Sequence, residues 1–199
     1  MPRKANDTAI IFEGDNPTVD QKITYQELKN EVCKLANGLK EIGVQKGDRV
    51  TIYMPMVPQA VYSMLACARI GAVHSVVFGG FSADALAHRI VDSNCKTLIT
   101  ANGTFRGAKA IPMKPNADEA MASASERMGE PVETCIVVRR VGEDSGIECN
   151  MEDGRDLWWD EVMANASMDC PCEEMDAEDP LFVLYTSGST GQPKGVMHT

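Results

Sequence analysis

The stretch RVTIYMPMVPQAVYSMLACARIGAVHSVVFGGFSADALAHRIVDSNCKTLITA, Arg49 to Ala101, alternates three short β-prone runs with two longer helical segments. Arg49 to Tyr53 reads as a buried strand closed by Pro55 and Pro58. Val73 to Phe78 and Thr97 to Ala101 read as the next two strands. Between them a helix is expected from about Pro58 to Ile70, with Gly71 as its C-terminal stop. A second helix starts from a cap at Ser82 and runs to about Asp92, after the tight Gly79-Gly80 turn. This β-α-β-α-β rhythm predicts an α/β fold: a mainly parallel sheet with helices packed on it and right-handed crossovers.

Working outward, Thr24-Tyr25-Gln26-Glu27 has capping-box spacing, because the Thr hydroxyl and Glu carboxylate can satisfy helix-end amides reciprocally. Tyr25, Leu28, Val32, Leu35, Leu39 and Ile42 then recur at steps of three and four, one face of a helix that Gly43 ends. Thr8 to Phe12 is a short strand-like run ending at Gly14-Asp15-Asn16-Pro17. On the other side, a helix from Asp118 to Met128, a strand from Thr134 to Val138 and a final buried strand from Leu181 to Tyr185 are expected.

The chain has 199 residues and a net charge of −10, and the charge is unevenly placed. Gly142 to Asp179 holds 14 acidic residues against one base, Arg155, while the rest has 18 basic and 15 acidic groups. The acidic segment reads as a solvated excursion of residues 142–179 in which Leu157, Trp158, Trp159, Val162 and Met163 anchor at most a short helix. An acidic chain repels polyanions, so nucleic acid is not an expected partner. No apolar run approaches the ~18 residues of a membrane span, and Met1 to Asp7 does not lead into a secretory signal. Seven cysteines, an odd set without small-scaffold density, suit a reduced, cytoplasmic protein.

The strongest chemical signal is Tyr185-Thr186-Ser187-Gly188-Ser189-Thr190-Gly191-Gln192-Pro193-Lys194-Gly195, directly after an apolar strand. Consecutive hydroxyl and glycine positions let backbone amides converge on one concavity, which with a lysine suits a polyphosphate. The spacing matches neither the Walker loop nor the GxGxxG fingerprint. The competing reading is a flexible Gly/Ser surface loop, against which the strand and the embedded Pro-Lys-Gly weigh. Other candidates carry less. His74 reads as a core residue, His88 as a helix-surface residue, and His198 has no visible partner. Cys170-Pro171-Cys172 lacks a second pair at zinc spacing, so no metal site is expected. Met54, Met56 and Met64 read as core filler.

Thr186-Ser187-Gly188-Ser189-Thr190-Gly191, followed after Gln192 by Pro193-Lys194-Gly195, resembles the signature loop of the AMP-forming acyl-adenylating enzymes. Ile52 to Pro58, Ala66 to His74, Phe78 to Ser82, Gly154 to Trp159 and Leu181 to Tyr185 narrow the resemblance to the acetyl-coenzyme A synthetases among them. It runs in order from about Asp7 to Thr199. It implies a two-step ligase: acetate and ATP give acetyl-adenylate and pyrophosphate, and the coenzyme A (CoA) thiol then attacks the adenylate. Thr186, Ser187, Gly188, Ser189, Thr190 and Gly191 would hold the ATP phosphates, with charge from Lys194 and with Gly195 in the same loop; Mg²⁺ would accompany ATP.

A CoA site is implied at Phe105-Arg106-Gly107-Ala108-Lys109, where the family carries an Arg-Ala-Gly-Arg-like segment that contacts the nucleotide phosphates. Arg106 matches the first arginine, Lys109 replaces the second, and the small pair Gly107-Ala108 is reversed. A lysine neutralises phosphate as a point charge without a bidentate fork. Without the resemblance, Arg106 and Lys109 read as an ordinary exposed basic pair. Gly79 and Gly80 either line the same passage or form a plain strand-to-helix turn. The acetate pocket, adenine-binding motifs and catalytic lysine of the family lie downstream, so residues 1–199 are expected to be part of a large adenylation domain with no catalytic residue of their own. Propionate or another short acid is the alternative substrate, and a truncated, non-catalytic nucleotide- or CoA-binding module is the alternative of another class.

Overall fold

The capping box forms as its spacing requires. Thr24 Oγ1 accepts from the Glu27 amide at 3.2 Å, the Glu27 carboxylate accepts from the Thr24 amide at 2.8 Å, and helix α1 runs Tyr25–Glu41 behind them. In the computed structural model, which describes residues 4–16, 18–186 and 193–199, this helix is preceded by a hairpin of β1 (Thr8–Glu13) and β2 (Asp20–Thr24). The central units follow: β3 (Arg49–Met54), α2 (Pro58–Ile70), β4 (Val73–Phe78), α3 (Ala83–Ser93) and β5 (Thr97–Ala101). A second hairpin, β6 (Gly103–Arg106) with β7 (Lys109–Pro112), precedes α4 (Lys114–Met128) and β8 (Thr134–Val138). The chain closes with β9 (Asp156–Trp158), α5 (Trp159–Ala164), β10 (Phe182–Thr186) and β11 (Lys194–His198).

Seven strands form one sheet in the order β11-β10-β4-β3-β5-β8-β9, parallel except for the antiparallel β11. The step from β3 to β4 goes one way across the sheet, and the steps from β4 to β5 and β5 to β8 go the other. Right-handed crossovers therefore put α2 on one face and α3 with α4 on the other. The packing agrees: α1 lies on α2 and α5, and α3 lies on α4. The core is largely apolar, with Leu35, Leu39, Ile52, Leu86, Ile90, Leu98 and Ile99 fully buried between sheet and helices. The reversal opens a crevice at the C-terminal ends of β3 and β4, the place where open α/β sheets take ligands.

Four sequence expectations need correction. Helix α4 begins at Lys114 rather than Asp118, because proline is tolerated in a first turn, where its missing N–H has no helical partner to lose. The strand expected over 181–185 is not buried: Leu184 is 45% exposed, since β10 pairs β4 through only Phe182 and Val183 and its outer neighbour β11 is exposed along its length. Met56 is 88% exposed rather than core filler.

The acidic segment also does more than pass through solvent. Its β9 extends the sheet beside β8, and Trp159 and Met163 of α5 join the core. Beneath it lies an ion cluster. Lys114 Nζ, with its side chain 1% exposed, is 2.6 Å from both Asp118 and the fully buried Asp156. Arg155 reaches Asp118 at 2.6 Å, Asp156 at 2.7 Å and Glu152 at 2.8 Å. Burial alone would raise the Asp156 carboxyl pKa, but hydrogen bonds from Arg155, the Glu152 backbone and Lys114 outweigh it and hold the pKa below the usual range.

Candidate functional site

The crevice at the ends of β3 and β4 is a cleft of ≈ 800 Å³. Tyr53, the penultimate residue of β3, anchors its floor. The phenol oxygen lies 3.0 Å from the carbonyl oxygens of Gly79 and Phe81 and accepts from Asn116 Nδ2 at 2.8 Å. Asn116 also donates to the Phe81 carbonyl at 3.1 Å, so one buried phenol and one α4 amide hold the whole 79–81 turn. Burial raises the Tyr53 pKa, against the lowering effect of the Asn116 bond. A Cβ at Gly79 would stand 3.1 Å from both the Met54 carbonyl oxygen and Met113 Cε. The Met54 contact is to backbone, so a side chain there would need the strand end to give by a few tenths of an ångström.

The β6–β7 hairpin forms one side of the cleft. Arg106 lies opposite Lys109 across the register, and the tip between them is made by Gly107 at φ +60° and Ala108. The hairpin's root is tied to the neighbouring strand end by Asn102, which is 7% exposed. Its backbone carbonyl accepts from the Met113 amide at 3.1 Å, its Oδ1 accepts from the amides of Arg140 and Val141 at 2.8 and 3.1 Å, and its Nδ2 donates to the Val141 carbonyl at 2.8 Å. Every polar atom of that side chain thus fixes the 140–141 backbone against the hairpin.

Of the residues expected from sequence, Gly79, Gly80 and Arg106 line this cleft together. Gly107 and Ala108 line an adjoining one of ≈ 520 Å³, with Phe105 and Arg140 shared between the two. Lys109 is exposed and, among the described residues, lines neither.

The second expected site lies at the other side of β4. Thr186, the last residue of β10, pairs directly with Lys194, the first of β11, and Tyr185 pairs with Gly195. β10 and β11 thereby form an antiparallel pair at the edge of the sheet. Ser187, Gly188, Ser189, Thr190 and Gly191 lie outside the described residues. Below Thr186, the Tyr185 hydroxyl donates to Asp92 at 2.7 Å, and the buried Arg89 guanidinium sits 4.6 Å over the Phe81 ring and 5.3 Å over the Tyr185 ring. Arg89 thereby bridges the cleft turn and the loop-bearing strand through one cation–π sandwich. His74 is buried and His88 sits on the α3 surface, as read from sequence. His198, which had no visible partner there, stacks on Phe182 at 4.4 Å.

A crevice at the strand ends of an open parallel sheet is where α/β domains take their ligands, and comparison with known proteins gives this domain a family. The AMP-binding enzyme family model matches residues 1–199. The chain belongs to that family. It is 57% identical over 199 residues to an acetyl-coenzyme A synthetase of Magnetococcus marinus and 59% identical to one of Saccharophagus degradans. An acetyl-coenzyme A synthetase 2 of Pseudomonas putida is 55% identical over the same span. In each case all of this chain and 30% of the relative's length are covered, so the chain spans about a third of the length of these relatives.

Several residues that shape the cleft of this AMP-binding chain were not singled out from the sequence: Tyr53, Asn116, Asn102, Asp15 and Arg140. A signal existed for two of them. Asn102 directly follows β5, and Arg139-Arg140 directly follow β8, so both sit at the C-terminal ends of parallel strands, where ligand-facing polar residues collect. Asn116 and Asp15 carry no such mark, because their roles arise only when α4 and the β1–β2 hairpin pack against the sheet.

Proposed function

We propose that this chain is the CoA-binding and phosphate-loop part of an AMP-forming acetate–CoA ligase. The observation that carries the reading is the identity of 55–59% along the entire chain to proteins named acetyl-coenzyme A synthetase. In the reaction, an acetate oxygen attacks the α-phosphorus of ATP and pyrophosphate leaves; the CoA thiolate then attacks the acetyl carbon and AMP leaves. Thr186, Ser187, Gly188, Ser189, Thr190 and Gly191 offer amides and hydroxyls to the ATP phosphates, and Lys194 adds positive charge beside the departing pyrophosphate. Mg²⁺ enters with ATP as part of that substrate. Arg106, with Gly79 and Gly80 permitting close backbone approach, takes the nucleotide end of CoA in the ≈ 800 Å³ cleft. Gly107 and Ala108 shape the hairpin tip, and Lys109 contributes a more distant charge.

Acetate is preferred over propionate because the relatives carry the acetyl name, and a catalytic parent over a binding module because the match runs unbroken through the loop. All seven cysteines are free thiols, which suits a reducing compartment, and we place the enzyme in the cytoplasm. Among the described residues no helix is long and apolar enough to cross a membrane.

The test is acetate-dependent exchange of pyrophosphate into ATP by the polypeptide that carries this chain with the further length its relatives have. Lys194→Ala is expected to lower the exchange by about tenfold or more. An unchanged rate removes Lys194 from the site, and exchange with propionate but not acetate replaces the substrate.

A further inference from the structure

Arg140 stands where three clefts meet: the two at the β6–β7 hairpin and a third of ≈ 430 Å³ beside α1. Its side chain is 22% exposed, and its guanidinium lies 5.2 Å over the Phe105 ring. Its backbone is fixed by Asn102, the same residue that fixes the hairpin root, so Arg140 and Arg106 are held on one frame. Among the described residues its carboxylate partner is Asp15 alone, Nη2 to Oδ2 2.6 Å, with the Asp15 side chain 39% exposed on the β1–β2 loop. Asp15 itself lines both hairpin clefts.

We propose that Arg140 is a phosphate ligand of the CoA cleft and that Asp15 occupies its guanidinium until a nucleotide phosphate takes the carboxylate's place. This rests on the reading of the cleft as a CoA site. A guanidinium presents the same donor fork to a carboxylate and to a phosphate, so the acid is a chemical stand-in for the anion it yields to. An ion pair this exposed is weak, and a phosphate brings more charge to the same donors. The Phe105 face keeps the guanidinium in place during the exchange, because stacking holds it whichever anion it bonds. A lysine at this position would supply charge without the fork or the stack.

The experiment is calorimetric titration of CoA into the polypeptide that carries this chain with the further length its relatives have, and into its variants. Arg140→Ala is expected to weaken binding about tenfold, as loss of a charge-assisted bond does. Asp15→Asn is expected to tighten it about threefold, a gain that misfolding cannot imitate. In the double variant the gain from Asp15→Asn should vanish, since the carboxylate then competes for nothing. If Arg106→Ala weakens CoA binding while Asp15→Asn and Arg140→Ala leave it unchanged, the CoA reading survives and the Asp15–Arg140 pair is a structural contact. If that polypeptide does not bind CoA, or Arg106→Ala changes nothing, the cleft reading and this inference fall together.

Discussion

The two ends of the seven-stranded sheet are finished in opposite ways. At the β9 end, Lys114, Asp118, Arg155 and Asp156 close the edge with ion pairs of 2.6–2.7 Å, and α5 sets Trp159 into the core. At the β11 end every residue of the last strand is exposed, and Leu184, Val196 and Met197 are 45%, 43% and 62% accessible. The closed end carries none of the candidate ligand residues, and the open end carries Thr186, Lys194 and Gly195 of the proposed phosphate loop. The difference teaches that the proposed CoA cleft, in the interior of the sheet, is braced by partners within this chain, whereas β10, which leads to the proposed phosphate loop, is tied to the core by a two-residue ladder, the Phe182–His74 stack and the Tyr185–Asp92 hydrogen bond.

The contrast can be broken at several points. Its largest expression is functional: the isolated chain is expected to bind CoA yet show no acetate-dependent pyrophosphate–ATP exchange. Detectable exchange would mean that the open end is already a complete site. Next comes Lys114→Ala at the closed end, which leaves the buried Asp156 short of a cation and is expected to cost about 3–5 kcal/mol in urea unfolding. A loss below about 1 kcal/mol would mean that the closed end owes its stability to apolar packing instead.

His74 links the open end to the core, stacking on Phe182 at 5.4 Å, and its Nδ1 has no partner among the described residues. Burial pushes its pKa down to about 4, against 6.5 for the free ring. The unfolded chain therefore takes up a proton first. The neutral ring's contribution is complete above pH 6.5 and is lost as pH falls towards 4, an acid destabilisation of about 3 kcal/mol. His74→Phe, which keeps the stack and cannot titrate, should flatten that part of the pH profile; an unchanged slope would place the titrating group elsewhere.

Smaller effects separate the cleft from the open edge. Gly107→Ala forces a Cβ into the left-handed region at the hairpin tip and should cost about 1–2 kcal/mol of thermal stability. Val196→Lys on the exposed edge should change stability by no more than about 0.5 kcal/mol while reducing self-association in sedimentation, because an edge charge discourages strand addition.

Periodicity and caps carried most of the fold. The α1 face, the Gly71 stop and the three runs of Arg49 to Ala101 needed only local spacing to be read, because strands and helices of this kind bury faces that repeat every two or 3.6 residues. Strands with weak patterns escaped. β7 reads KAIP and β11 reads KGVMH, too short and too polar to show alternation, and each exists because a partner strand lies beside it. The net charge of the acidic segment hid its anchors, since a count of carboxylates does not show that Asp156 is buried against Lys114 and Arg155.

The sequence by itself determined the α/β order, the phosphate-loop candidate over 186–195 and the basic pair Arg106 and Lys109, because each is a run of neighbouring residues. Only the tertiary structure decided that Gly79, Gly80 and Arg106 share one cleft while Lys109 stays outside it. It also decided that Tyr53, Asn102 and Asn116 brace that cleft, and that Asp15 reaches Arg140 across 125 residues. The physical reason is that a strand order reversing at β3 and β4 gathers the ends of distant segments at one point, and sequence spacing does not record which ends meet there.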